Sequence, residues 1–246
     1  MGRRLRLGTT LVMSAVLLGF AAPAPASAGL LPGAVHFVEA TAFSPGVRLT
    51  SVSARMSSAL LTDDLLVAWV AQYDASGPVR VSDPVDGAWT RGPSLRFANG
   101  GGDIALFWAK PLLALTGVTV SVSASTPTFL AGSIAHYRGM LLSSTGPSAV
   151  AEASASAGST TVDAGPTPPV PTGDLVFAAE VTGGLPGTLT PGESAGRQLR
   201  LRAVDDSGSA ACADVLSGAV GAQNARFTLG RSSDWYAVVA TFDPLL

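Results

Sequence analysis

The chain has 246 residues, 47% of them hydrophobic and 13% charged, with a formal net charge of −2. A weakly acidic balance argues against nucleic acid or an anionic membrane surface as a partner. Cys212 is the only cysteine, so no internal disulfide can form and the fold must rest on its core.

Residues 1–28 read as an export signal. Arg3, Arg4 and Arg6 form a positive region, Leu11 to Ala22 an apolar core, and Ala26-Ser-Ala28 a small-residue cleavage site. The apolar stretch falls short of the ~20 residues of a membrane span, and no second one occurs after it. Adjacent Arg3 and Arg4 admit twin-arginine export, but the residues after them favour ordinary secretion. The expected mature chain is secreted and extracellular. Processing removes three arginines, leaving 218 residues with 12 basic against 17 acidic, a net charge of −5.

Beyond the signal the chain is patterned as strands. Val47–Ala54 alternates with one wet face, and Leu65–Tyr73 is a near-continuous apolar run of the kind found in a central, doubly covered strand. Val79–Ser82 and Ala88–Arg91 flank Asp83-Pro-Val-Asp-Gly87, a hairpin loop with Pro and Gly at turn positions. Asn99–Gly102 leads into an apolar strand over Ile104–Ala109. Val118–Ala124 places three valines on one face and Thr and Ser on the other, and Phe129–Arg138 closes the first half.

Residues 143–173 are rich in Ala, Ser, Thr and Pro. Val150–Ala157 is expected to be a small-residue edge strand matching Leu49–Met56, with Pro166–Pro171 as a rigid turn that blocks further pairing. Gly183–Gly196 reads as loop. Arg197-Gln-Leu-Arg-Leu-Arg202 alternates, and Ala225–Leu229 and Trp235–Phe242 end the fold.

The chain echoes itself. Asp64-Leu-Leu-Val-Ala-Trp-Val-Ala71 returns 110 positions later as Asp174-Leu-Val-Phe-Ala-Ala-Glu-Val181. Ser133-Ile-Ala-His-Tyr-Arg-Gly139 returns 105 positions later as Val238-Val-Ala-Thr-Phe-Asp-Pro244. Each half is too small a sheet to stand alone, and two of them face to face would bury a shared core. The expected fold is all-β: a two-sheet antiparallel β-sandwich, jelly-roll-like, in one domain over 29–246 with half-repeats of about 34–142 and 143–246.

The order of these motifs, with Ser82-Asp-Pro-Val-Asp-Gly-Ala-Trp-Thr90 as a Val-x-Asp-x-x-Gly-x-Trp-Thr type of hairpin, resembles a β-sandwich module of bacterial secreted proteins and of phage and surface structural proteins. Here Ala88 replaces the residues that usually come after the Gly. The resemblance implies two packed antiparallel sheets. Modules of this kind mostly lack an assigned activity, so no catalytic residue is carried over.

Candidate functional residues are few. Trp69 and Trp108 lie in apolar strands and read as core. Trp89 reads as a hairpin clamp or, less directly, a stacking platform for a glycan. Trp235 and Tyr236 are adjacent in a strand, so they should face opposite sides and one should be wet, which makes them the leading ligand-binding candidates. Asp63, Asp64, Asp83, Asp86 and Asp103 are oxygen donors for a calcium ion, though without EF-hand spacing, and no other cofactor is suggested. Asp64 and Asp174 begin equivalent strands and read as turn chemistry. Glu39, Glu152, Glu180 and Glu193 are scattered, no Gly-x-Ser-x-Gly elbow occurs, and His36 and His136 have no local tie to Cys212, which reads as a buried thiol. His136, echoed by Thr241, reads as a surface or boundary position. The expectation is a secreted, non-enzymatic binding or surface-structural protein with an extracellular glycan or cell-surface component as partner. The alternatives are a carbohydrate-binding module and, behind it, a hydrolase.

Overall fold

The computed structural model describes residues 35–75, 77–98, 101–140, 146–205 and 207–244. The expected export signal and most of the junction between the halves lie outside them. Every regular element among the described residues is a strand, as the alternating, β-branched pattern requires.

The first sheet contains β1 (His36–Phe43), β2 (Arg48–Met56), β3 (Leu65–Tyr73), β4 (Arg80–Asp83), β5 (Gly87–Ala88), β6 (Thr90–Arg96), β7 (Gly102–Ala109) and β8 (Val118–Arg138). Its order is β5-β4-β8-β3-β7-β6, with β1 and β2 also on β8. The continuous apolar run of β3 is explained by its place between β7 and β8, with both faces covered. Strand β8 is 21 residues long. Its first part pairs with β2 and β4 and its second with β1 and β3.

The remaining strands are β9 (Ala149–Ala164), β10 (Pro169–Val170), β11 (Leu175–Thr182), β12 (Leu189–Pro191), β13 (Glu193–Ser194), β14 (Arg197–Gln198), β15 (Arg200–Val204), β16 (Ala210–Leu216), β17 (Gly221–Ala222) and β18 (Ala225–Phe242). The second large sheet runs β12-β18-β11-β16-β15 with β9 on β18, and two small ladders join β10 to β17 and β13 to β14. The stretch expected to be loop, Gly183–Gly196, thus carries two short strands. All pairings are antiparallel.

The register repeats. Leu65 faces Tyr137 and Leu175 faces Phe242, so the offsets of 110 and 105 in the sequence recur as equivalent pairs across β3–β8 and β11–β18. Ala149–Ala155 pairs with Thr241–Trp235 and thus lies along the same stretch of β18 that pairs on its other edge with β11.

The apolar interior is also divided differently from the expected single core. One cluster joins the two sheets: Trp69, Leu106 and Tyr137 from the first meet Phe177, Val238 and Phe242 from the second. A second cluster, with Met56, Leu66, Phe107 and Ile134, lies wholly within the first half. A third, with Val162, Val176, Phe227 and Val239, lies wholly within the second half. Alternate residues of the central strands supply the joining cluster and the half's own cluster, as a two-residue period demands.

Candidate functional site

Where the start of β1 and the end of β8 meet β15 and the end of β16, a cavity of about 600 Å³ opens between the sheets. Its walls include His36, Phe37 and Tyr137 from the first sheet and Arg197, Gln198, Arg200, Arg202 and Asp214 from the second half. Two local features aim the arginines. Ala195 and Gly196, at φ 45° and 79°, form the two-residue turn between β13 and β14. Both central residues at positive φ is the hairpin turn that suits strand twist, although Ala costs about 1 kcal/mol there. The register of β15 on β16 slips between Leu201 and Ala203, so Arg202 is the bulged residue and its side chain is redirected.

Arg202 then grips Asp214 with both ends of its fork. Nε donates to Oδ2 at 2.6 Å and Nη2 to Oδ1 at 2.7 Å, the strong bidentate geometry. Its guanidinium also lies 4.0 Å above the Phe37 ring, a cation–π contact that ties the two sheets at the cleft floor. The Tyr137 hydroxyl donates to the same Asp214 Oδ2 at 2.6 Å. Burial, reinforced by the neighbouring Asp214 charge, holds the Tyr137 phenol well above its ordinary pKa. Among the described residues Asp214 is the only carboxylate on this wall, and Arg202 and Tyr137 engage both of its oxygens. Arg197 and Arg200 are exposed, and among the described residues neither is ion-paired.

The aromatic candidates sit elsewhere. Trp235 and Tyr236 do face opposite sides, one in the cluster of the second half and one in the joining cluster. Neither is wet: they are 6% and 4% exposed, because the joining cluster packs over Tyr236 and the cluster with Val162 and Phe227 packs over Trp235. Tyr236 nonetheless borders a second cavity of about 210 Å³, with Tyr73, Phe97, Asp74 and Asp234. There the rings run Tyr73–Phe97–Tyr236 at 5.3 and 4.7 Å, and the Tyr236 hydroxyl accepts from the Ala98 amide at 2.8 Å. Trp89 is buried in the cluster of the first half and donates from Nε1 to Asp83 at 2.7 Å, which makes it a clamp across its hairpin.

The acidic residues named for calcium do not converge. Asp83 accepts from the Val85 and Asp86 amides, Asp86 from Leu112, and Asp103 from Gln72 and Arg91. No group of three or more metal-ligating side chains occurs among the described residues.

His136 is not a surface residue, contrary to the sequence reading. It is fully buried and its Nε2 lies 2.6 Å from Asp64 Oδ2. Asp64 also accepts from the Leu61 amide and from Arg138, which fits its turn role and adds an ion pair buried on the Asp64 side and half-exposed on the Arg138 side. Thr241, its echo, is buried too and shares Ser148 with Asp174. A position that accepts both His and Thr is here an interior polar one, so interchangeability was a misleading cue. The cue that would have worked is Asp at the start of the partner strand.

Cys212 is fully buried in the joining cluster with its sulfur 3.2 Å from the Ser133 hydroxyl. Burial pushes its thiol up to about 11. Alternation puts His136 on the opposite face of β8 from Ser133, so no base faces the sulfur. Cys212 should therefore resist an aromatic disulfide reagent in the native protein and react fully in denaturant, as followed by absorbance. Rapid native labelling would contradict this packing.

Compared with protein families, with curated proteins and with solved structures, the chain matches none.

Proposed function

We propose that the chain is an exported, non-catalytic binding protein that takes an extracellular glycan in the cleft between its sheets. In this reading residues 1–28 direct export, and the mature chain is a jelly-roll-like sandwich of two related halves. It would then be akin to the secreted and phage-type modules that its Ser82–Thr90 hairpin resembles. The matching strand registers and the common order β8-β3-β7-β6 and β18-β11-β16-β15 support the duplication.

The observation that carries the binding role is the cleft itself: a cavity of about 600 Å³, within the usual range for small-ligand sites, walled by side chains that donate hydrogen bonds. Catalysis is not favoured there. Hydrolysis of a glycosidic bond uses two carboxylates, and the one on the wall, Asp214, has Arg202 and Tyr137 on its oxygens.

The mature protein should bind a subset of an array of neutral and acidic glycans without cleaving them, with chromatography of the bound sugars showing unchanged lengths. Shortened products would support a hydrolase instead. Failure to retain any glycan would remove the reading.

A further inference from the structure

Resting on the cleft as the binding site, we propose that its ligand is an acidic oligosaccharide, bearing carboxylate or sulfate groups, held by the guanidinium groups of Arg197 and Arg200. The mature chain carries 12 basic residues against 17 acidic, yet three arginines within six positions line one cavity. Local charge there opposes the charge of the whole.

The arginines are also divided by their state. Arg48, Arg91, Arg138, Arg202 and Arg226 each meet a carboxylate. Arg197 and Arg200 meet none among the described residues, although they stand beside the cavity. The Arg197 stem passes over Gly218 so closely that a Cβ there would lie 2.5 Å from its Cδ. The absence of a side chain at 218 leaves the path by which Arg197 reaches the wall.

The chemistry of the wall selects the ligand. Arg197 and Arg200 offer donors, whereas both N–H groups of Gln198 are spent on the Pro191 and Gly192 carbonyls, and Arg202 and Tyr137 occupy most of the acceptor positions of Asp214. A neutral sugar, whose hydroxyls both donate and accept, finds few acceptors. A carboxylate or sulfate needs donors alone, and planar guanidinium matches both. A nucleotide fits less well because no aromatic face is left for its base. Phe37 lies beneath Arg202 and meets Tyr137 edge-on at 5.9 Å, and Tyr137 meets Phe177 at 6.4 Å.

The test is calorimetric titration of the mature protein with oligogalacturonate, sulfated dextran and neutral dextran. Two double variants of equal net charge are compared, R197Q/R200Q in the cleft and R80Q/R231Q away from it. All four arginines are exposed, so both variants should keep the parent melting temperature. The expected result is binding of one or both acidic probes, weakening with salt, and little binding of neutral dextran. R197Q/R200Q should lose about tenfold or more in affinity and R80Q/R231Q almost none. The carboxylate and sulfate arms separate the two sources of the anion. Equal loss in both double variants would overturn the site by showing diffuse attraction. Neutral dextran binding that R197Q/R200Q leaves intact would overturn the acidic ligand while sparing the glycan-binding role. No binding by any probe would remove both.

Discussion

Replacing Glu180 with glutamine should stabilise the protein at pH 8 by about 2 kcal/mol or more, and replacement with leucine should do so by a further margin. Glu180 lies in β11 on the face that looks into the second half's own core. It sits opposite Ala211 on one side and Ala237 on the other. It is fully buried, and neither carboxylate oxygen has a partner. Burial first, and then the negative charge of Asp205, push its pKa well above the usual carboxylate value.

The sign is set by linkage. A carboxyl whose folded pKa exceeds its unfolded one contributes stability that is complete below the unfolded value of 4.5. That contribution is lost as pH rises toward the folded value, at up to ~1.4 kcal/mol per pH unit. Denaturant unfolding at pH 5 and pH 8 should show the parent weakening across this interval and both variants losing that slope. A parent as flat as its variants would mean that Glu180 is hydrated or paired.

The second large effect separates two aspartates that each directly precede a buried central strand, Asp64 before β3 and Asp174 before β11. Asp64→Asn should cost about 3 kcal/mol or more, because it strips the anion from a buried histidine and from Arg138. Asp174→Asn should cost less than about 1 kcal/mol. At Asp64 burial alone would raise the carboxyl, but the bonds from His136, Arg138 and the Leu61 amide outweigh it and the pKa falls. At Asp174 burial prevails over the single Ser148 bond, Oδ1 has no partner, and the pKa rises.

The pH signatures are therefore opposite. The Asp64 contribution is present above its unfolded value of 3.8 and is lost as pH falls through the lowered folded value. The Asp174 contribution is complete below 3.8 and declines as pH rises toward its raised folded value. Urea unfolding of both variants at pH 7 and of the parent between pH 2 and 7 checks the pair. Equal losses in the two variants would show that His136 contributes nothing through Asp64.

The strands were legible because burial leaves a period. Leu65–Tyr73 and Val118–Ala124 are written almost without exception in the residues that a doubly covered strand and a one-faced strand need. The Asp64 and Asp174 echo was legible for the same reason, since both begin a buried strand. Division of the interior was not. The inward faces of Leu66 and Leu65 look alike in sequence, yet one serves the first half's own core and the other the joining layer.

The match of Val150–Ala157 to Leu49–Met56 rested on order and small residues, which do not specify a partner. Register against β18 does. The cleft was half visible: the alternation of Arg197–Arg202 was plain, but Phe37 lies at the far end of the chain and only the packing of the sheets brings it beneath Arg202. Neither the bulge at Arg202 nor the engagement of Asp214 by Arg202 and Tyr137 has a local signal.

Chemical-shift mapping of the mature protein during titration with oligogalacturonate tests most directly where the molecule binds. The largest changes should fall on Arg197–Arg202 and extend to His36, Phe37 and Leu216. Shifts concentrated instead around Tyr73, Phe97 and Tyr236, or a spectrum that does not respond to any saturating acidic or neutral glycan, would contradict the assignment of the cleft.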